Sequence, residues 1–404
     1  MSNKVETTAM NVETQPRLRF PEFQDAGEWE VRKAGTLFSN RVTKGEQGLP
    51  IYSVTMHDGM VRRDSLDRNY YDIEDAAGNK KVSRNDIAYN MMRMWQGALG
   101  VAPEDCLVSP AYIVLAPAKG TVPEFFQYMF KLPATLLTLT SHSRGLTKDR
   151  LRLYYDDFAR IPLWCPSPDE QQKIAECLSS VDELMAAQAR KVDALKTHKK
   201  GLMQQLFPCD GETQPRLRFP EFRDAGEWEV RTLGAACRMQ AGKFVSASAI
   251  RDQNAKGFFP CYGGNGLRGY TTTFTHSGKY PLIGRQGALC GNVKLGFGQF
   301  HATEHAVVVT PENGIAVDWL FYLLDFLNLN QYATGQAQPG LSVDVLDKVP
   351  VAISNQEAEQ QRIADCLTTL DDLIAAQTQK LDALKTHKKG LMQQLFPSPE
   401  EVEA

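Results

Sequence analysis

Apolar residues recur every seven positions in two separate stretches of the chain. In the first, Ile174, Val181, Gln188, Leu195 and Leu202 form one seam, and Leu178, Met185, Val192, Lys199 and Leu206 form a second. Ile363, Leu370, Gln377, Leu384 and Leu391, followed by Leu367, Ile374, Leu381, Lys388 and Leu395, repeat the arrangement. Paired seams sustained in this way predict long helices, each burying a narrow stripe against a partner helix. Neither stretch contains proline, so each can run for about 38 residues, roughly 57 Å. With a globular segment between them, the two helices are expected to pair with each other, antiparallel. Gln188 and Gln377 occupy seam positions where an aliphatic residue would be more stable. They read either as a register lock or as polar residues at a partly exposed crossing. The basic runs at 196–200 and 385–389 read as solvated helix ends that complement the dipole, and His198 and His387 go with them.

Between the helices the hydrophobic period shortens and turns multiply. Residues 87–97, 110–115, 280–287 and 305–310 read as strands bounded by turn residues. Residues 122–131 and 317–329 read as helices that follow them.

The chain is an internal repeat. Residues 13–32, ETQPRLRFPEFQDAGEWEVR, recur at 212–231 with one change, Gln24 against Arg223. The helical stretch 169–208 recurs at 358–397, ending both times in ALKTHKKGLMQQLFP. The segments in between, 33–168 and 232–357, share little beyond their exit. A solenoid would vary evenly along its length. Here a near-identical scaffold carries two dissimilar domains, which suits the symmetric presentation of two specificities to identical partners. The domain plan is therefore an extension (1–12), a first domain with its lead-in motif (13–168), a helix (169–208), a second such domain (209–357), a second helix (358–397) and a tail (398–404). The expected class is α+β, with a pseudo-twofold internal repeat and an antiparallel coiled coil.

Composition adds limits. A chain of 404 residues exceeds one ordinary core, and 43% hydrophobic with 23% charged residues describes a folded globular protein. Its most apolar stretch, 319–329, is too short and too interrupted to span a bilayer, and the N-terminus has no signal-peptide pattern, so a cytoplasmic location is expected. The eight cysteines lack metal spacing and read as small hydrophobes. The net charge of −3 argues mildly against nucleic-acid binding, although distribution matters more than the sum.

The side chains within the two variable segments point the other way. The first holds Arg62, Arg63, Arg68, Lys80, Lys81, Arg84, Asn90, Arg93, Trp95 and Gln96. The second holds Lys243, Tyr262, Asn265, Arg268, Tyr270, Arg285, Gln286 and Lys294. Arg, Lys, Asn and Gln read base edges or hold phosphates, and glycine turns let backbone approach a phosphate. Each of these residues also has the plain reading of a solvated surface group.

Motifs suggesting catalysis dissolve on inspection. Gly264–Gly269 fits G-x-G-x-x-G, but a β-prone Tyr-Thr-Thr-Thr-Phe follows where a helix should start. Residues 335–342 imitate a P-loop with Leu341 in place of the lysine. The amino-methyltransferase motif is missing because the sequence has no Pro-Pro, and the histidines form no triad or metal pattern. No catalytic residue and no metal site is expected.

Three motifs in the second half carry a resemblance: residues 259–270 (FPCYGGNGLRGY), 282–291 (LIGRQGALCG), and Gln338-Pro-Gly-Leu-Ser342 followed by Glu359-Gln-Gln-Arg-Ile363. In the first half a different set stands out: 82–90 (VSRNDIAYN), Trp95-Gln-Gly, 108–112 (VSPAY) and Ser143-Arg-Gly-Leu-Thr147, ending in Asp169-Glu-Gln-Gln-Lys-Ile174. In this combination the chain resembles the specificity (S, or HsdS) subunits of type I restriction-modification enzymes over nearly its whole length. The motifs add Arg144 and Gln338 to the DNA-binding candidates. The resemblance implies two target-recognition domains, each reading one half of a bipartite, asymmetric site in double-stranded DNA, with the helices setting the gap. It implies two methyltransferase subunits docked on the scaffold and two restriction-translocase subunits, directing adenine methylation and restriction. Those partners would carry the S-adenosylmethionine, ATP and magnesium chemistry, with no cofactor in this chain. The rival readings are a non-DNA coiled-coil assembly scaffold and an enzyme with its own catalytic centre.

Overall fold

The computed structural model describes residues 15–66, 76–335 and 339–397; Arg68 and Gln338 lie outside them. The chain divides into two compact units, one reaching Ala187 and resuming at Lys380, the other Gln188–Gln379. The architecture is α+β.

In chain order the first unit runs β1 (Glu30–Lys33), α1 (Ala34–Leu37), β2 (Phe38–Asn40), β3 (Tyr52–Val54), β4 (Met60–Arg62), β5 (Lys80–Val82), β6 (Ile87–Asn90), β7 (Leu99–Val101), β8 (Cys106–Val108) and β9 (Tyr112–Pro117). It continues with α2 (Pro123–Met129), α3 (Pro133–Ser141), α4 (Tyr155–Phe158), β10 (Pro162–Cys165) and the first part of α5 (Pro168–Leu206). The second unit takes the rest of α5, then β11 (Glu229–Thr232), α6 (Leu233–Ala236), β12 (Cys237–Ala241), β13 (Phe259–Gly263), β14 (Gly266–Thr271), β15 (His276–Gly284), β16 (Val293–Ala302) and β17 (Ala306–Pro311). It ends with α7 (Val317–Phe326), α8 (Val343–Leu346), β18 (Pro350–Ile353) and the first part of α9 (Glu357–Gln394), whose remainder belongs to the first unit.

Both units use one frame. The lead-in strand pairs antiparallel with the exit strand, β1 with β10 and β11 with β18. The main sheets are ordered β2-β9-β6-β7 and β12-β17-β15-β16-β13-β14, so four strands keep the same connectivity. The first unit inserts the small pairs β3-β4 and β5-β8, whereas the second extends its sheet with the β13-β14 hairpin. One sequence expectation needs correcting. Residues 87–97 are not one strand: β6 stops at Asn90, whose Oδ1 accepts the Met92 N–H at 3.0 Å. A single 3-10 turn then ends at Gly97 with φ of 80°, a conformation that glycine adopts without strain.

Aromatic residues anchor each core. Trp29 packs edge-on to Phe125 and to Phe396 just past the end of α9, and Trp228 does the same with Phe207 and Trp319. The identical Leu-Phe-Pro helix endings thus close both units, and the Leu18 and Leu217 N–H groups donate to Gln394 O and Gln205 O.

The repeated Glu-Gln-Gln at each helix start welds helix to domain. Glu170 is 1% exposed and takes both Arg19 Nε (2.8 Å) and an Arg19 terminal nitrogen (2.7 Å), with the Trp29 indole N–H at 3.3 Å. Glu359, equally buried, binds Arg218 at 2.5 and 2.8 Å, the Trp228 indole at 3.1 Å and Ser354 Oγ at 2.6 Å. Beside them, Gln171 Oε1 accepts the Val122 N–H at 3.0 Å and Gln360 Oε1 the Ala316 N–H at 2.8 Å, the residues that precede α2 and α7. A buried donor at a helix start is costly unless satisfied, and these glutamines satisfy it.

The long helices, 39 and 38 residues, pair antiparallel. Every seam residue named above is buried or half-buried. Gln188 Nε2 donates to both Gln377 O (2.8 Å) and Gln377 Oε1 (3.0 Å), so each glutamine meets its own repeat equivalent. An antiparallel pair permits that only at the midpoint of the repeat, so this contact favours the register-lock reading. The lysines at the helix ends require a correction. Lys388 and Lys199 are half-buried cross-links and not solvated ends. Lys388 Nζ lies 2.6 and 2.7 Å from the Asp182 carboxylate and 5.0 Å over the Tyr128 ring, while Tyr128 Oη donates to Asp182 at 2.8 Å. In the second unit Lys199, Asp371 and Tyr322 reproduce the arrangement, with Nζ to carboxylate 2.7 Å, ring distance 5.0 Å and phenol to carboxylate 2.8 Å. Only the neighbouring charge differs. In the first unit burial, then Lys388, lowers the Lys131 pKa; in the second, burial raises that of Asp325, partly offset by Lys199.

Candidate nucleic-acid interface

The shared frame carries different loops, and the candidate residues concentrate there. In the first unit the β6–β7 loop holds Asn90, Arg93, Trp95 and Gln96. Trp95 Nε1 donates to Met92 O at 3.1 Å and an Arg93 nitrogen lies 3.5 Å from Gln96 Oε1. Arg93 is exposed, and Trp95 and Gln96 are half-buried. Helix α3, which the sequence reading missed, packs against Met94–Gln96. The exit segment is tied to this loop through Leu153 N to Met91 O at 2.9 Å. It also holds exposed Arg144, paired with Asp157 at 2.6 Å.

A second group forms around the inserted pairs. Arg62 meets Asp64 at 2.9 Å, and Arg63 Nε donates to Ser53 Oγ at 3.2 Å. Lys81 meets Glu46 at 3.0 Å and Asp105 at 3.8 Å, while the Arg84 N–H donates to Asp105 at 2.9 Å and its side chain is exposed. Exposed pairs of this kind are worth little, so their cations can exchange a carboxylate for a phosphate at small cost. Lys80 differs: it is half-buried, donates to Tyr112 O at 2.7 Å, and burial lowers its pKa. Its ammonium is committed to the fold.

In the second unit the β15–β16 loop is the counterpart. Arg285 and Gln286 begin it, and the exit segment is again tied to it, by Leu341 N to Arg285 O and Gly287 N to Pro339 O, both 2.9 Å. The G-x-G-x-x-G motif turns out to be the β13–β14 hairpin, with Gly264 and Asn265 at its turn. Two glycines let this turn meet the end of β15: a Cβ on Gly284 would lie 1.8 Å from Gly264 O, and one on Gly264 would lie 3.2 Å from His305 O. Asn265 Oδ1 accepts from Asn292 Nδ2 at 3.1 Å, and the Lys294 stem lies over Gly266. Asn265, Arg285, Gln286 and Lys294 therefore converge at one end of the sheet, with exposed Arg268 on the adjoining strand β14. Tyr270 is half-buried in a backbone bridge to Arg251, and Tyr262 packs edge-on to Phe300. Lys243 lies against the segment between β16 and β17: its N–H donates to Ala302 O at 2.8 Å, the Gly242 N–H to Ala306 O at 2.9 Å, and its carbonyl contacts His301 Nε2 at 3.0 Å.

Asn292, Glu304 and His305 belong to the same place and were missed. The available signal was a Glu-His pair directly ahead of the apolar strand β17, at the end of a sheet where side chains of several strands can converge. All eight cysteines are free, and burial pushes the Cys106 and Cys237 thiols up to about 12, which fits a packing role. Among the described residues no helix is long and apolar enough to cross a membrane.

Comparison with known proteins follows the same division. The profile of the type I restriction modification DNA specificity domain matches residues 26–197 and 225–386. The type I restriction enzyme EcoprrI specificity subunit of Escherichia coli is 47% identical over 158 residues, 39% of this chain and 39% of that protein. The chain thus spans about two fifths of that relative in the alignment. The MjaVIII specificity subunit of Methanocaldococcus jannaschii is 24% identical over 295 residues, 67% of this chain and 68% of that one. The S subunit of the M. genitalium type I system shares the fold, with a TM-score of 0.63 at 17% identity over 95% of this chain and 99% of that chain.

Proposed function

The chain belongs to the type I restriction-modification DNA specificity family, and on that premise we propose that it selects the DNA site for a methyltransferase and a nuclease it does not itself contain. Each variable domain reads one half of a bipartite, asymmetric site in double-stranded DNA. The paired helices set the gap and dock two methyltransferase subunits, with two restriction-translocase subunits completing the enzyme in the cytoplasm. S-adenosylmethionine, ATP and magnesium act in those partners, and the chain is non-catalytic. The observation that carries this reading is one four-strand frame, used twice, with dissimilar polar loops at corresponding places. Those loops and the strands beside them present Arg93, Gln96, Arg285, Gln286, Asn265 and Lys294, together with exposed Met92 and Leu289.

Duplex binding by the chain together with its methyltransferase tests the proposal. Affinity is expected to fall roughly a thousandfold or more between ~50 and ~200 mM salt, as counterion release requires for several phosphate contacts. Binding insensitive to salt, or no duplex binding, would favour the scaffold reading.

A further inference from the structure

We propose that Glu304 is a specificity-determining residue of the second domain, its carboxylate accepting a hydrogen bond from the exocyclic amino group of a cytosine or adenine in the major groove. The inference rests on the DNA-reading function proposed above and assigns one contact within it.

Placement is the first argument. Glu304 lies between β16 and β17 in a segment pinned on both sides. Thr303 is fully buried, and its N–H donates to Tyr262 O at 2.9 Å. The His305 N–H approaches Thr303 Oγ1 at 3.4 Å, while His305 O accepts the Arg285 N–H at 3.0 Å. The close approach of Gly264 and Gly284 brings the β13–β14 turn to the same spot. The side chain is 34% exposed, so it is reachable from solvent yet held by a rigid backbone.

The second argument is unmet hydrogen-bonding capacity. Among the described residues of this unit, the buried side-chain polar atoms without a partner are Arg285 Nε, Glu304 Oε2, His305 Nδ1 and the Trp319 indole nitrogen. The first three adjoin one another. Arg285 and His305 are joined by the Arg285 N–H to His305 O bond and Glu304 precedes His305, so three polar side chains with unmet capacity share one place. Glu304 Oε2 is itself buried, so the part of the carboxylate that an incoming donor reaches is Oε1, which has His305 Nε2 beside it at 3.4 Å.

Charge identifies the ligand group. An ionised carboxylate only accepts hydrogen bonds, and it repels phosphate. On a face carrying Arg268, Arg285 and Lys294 it opposes backbone binding, and it contributes only by meeting a base donor. Cytosine N4 and adenine N6 are those donors in the major groove. The frame does not require the residue either. In the first unit the segment leading into β9, Ser109-Pro110-Ala111, carries no charge.

The test uses the full chain with its methyltransferase, the cognate duplex, its single-base-pair variants in both halves, and an unrelated duplex. E304A is expected to lose roughly tenfold to a hundredfold in affinity for the cognate duplex and to relax the preference at one base pair of one half-site. The other half-site keeps its full discrimination. Affinity for the unrelated duplex stays the same or rises, because a charge that repels phosphate is gone. E304Q, which keeps one acceptor without the charge, falls between the parent and E304A. Unchanged discrimination in E304A, or an equal loss on cognate and unrelated duplexes, overturns the assignment. A parent complex without any sequence preference overturns the functional reading instead.

Discussion

Replacing Glu359 by alanine is expected to destabilise the second unit by about 3–5 kcal/mol, because it strands a partner guanidinium away from water. Arg218 is bound to Glu359 through two nitrogens, and the pair's side chains are 10% and 1% exposed. The same change removes the acceptor of the Trp228 indole and of Ser354 Oγ. Arg218 then keeps its hydrogen bonds to the Ala225 and Gly226 carbonyls, which neutralise none of its charge. Denaturant titration reads the effect. Gln361→Ala, which removes an exposed hydrogen bond to Asp365, serves as the control and should shift stability by less than about 0.5 kcal/mol. Exchanging both partners for apolar residues, R218M with E359L, should cost less than E359A alone, since no unpaired charge remains. An E359A protein within about 1 kcal/mol of the parent would mean that the weld between helix and domain is not electrostatic.

The second large effect concerns specificity. Exchanging residues 33–168 for the corresponding segment of another family member should replace one half of the recognised site completely and leave the other half and the gap unchanged. The physical basis is that the surface each domain must fit is built from repeated parts. Trp29 and Phe396 present the same edge-on pair to the first domain that Trp228 and Phe207 present to the second. Gln171 and Gln360 offer the same acceptor to whatever helix follows the sheet. A foreign domain that keeps the lead-in strand, the exit strand and that helix start meets every one of these contacts. Profiling methylated adenines in a host carrying the exchanged chain measures the outcome. A change in both halves, or in the gap, would contradict the modular account.

The scaffold was legible because it rests on local periodicity and exact repetition. Heptads report which face of a helix is buried, and two near-identical copies report that the same packing occurs twice. What the repeats do at long range was not legible. Arg19 and Glu170 are 151 positions apart, and nothing in either segment names the other. Lys199 and Lys388 read as solvated ends because they sit within basic runs. Only the opposing helix supplies Asp371 and Asp182, and only the domain helices supply Tyr322 and Tyr128. Residues 87–97 misled because their apolar side chains suit a strand, whereas the Asn90 side chain and Gly97 close a turn. The candidate interface was legible as residue types. Polar residue types marked Arg93, Gln96, Arg285 and Gln286, which do fall on corresponding loops. Glu304 was invisible, because a lone acidic residue in a candidate DNA-binding domain argues against itself until its neighbours are known.

The central claim, that this chain alone dictates which DNA is modified, is tested most directly by genome-wide mapping of methylated adenine in a host with the intact system and in the same host lacking only this chain. The account predicts one bipartite motif with a fixed gap in the first and its complete loss in the second. A motif that persists without the chain, or the absence of any bipartite motif in the intact host, would contradict it.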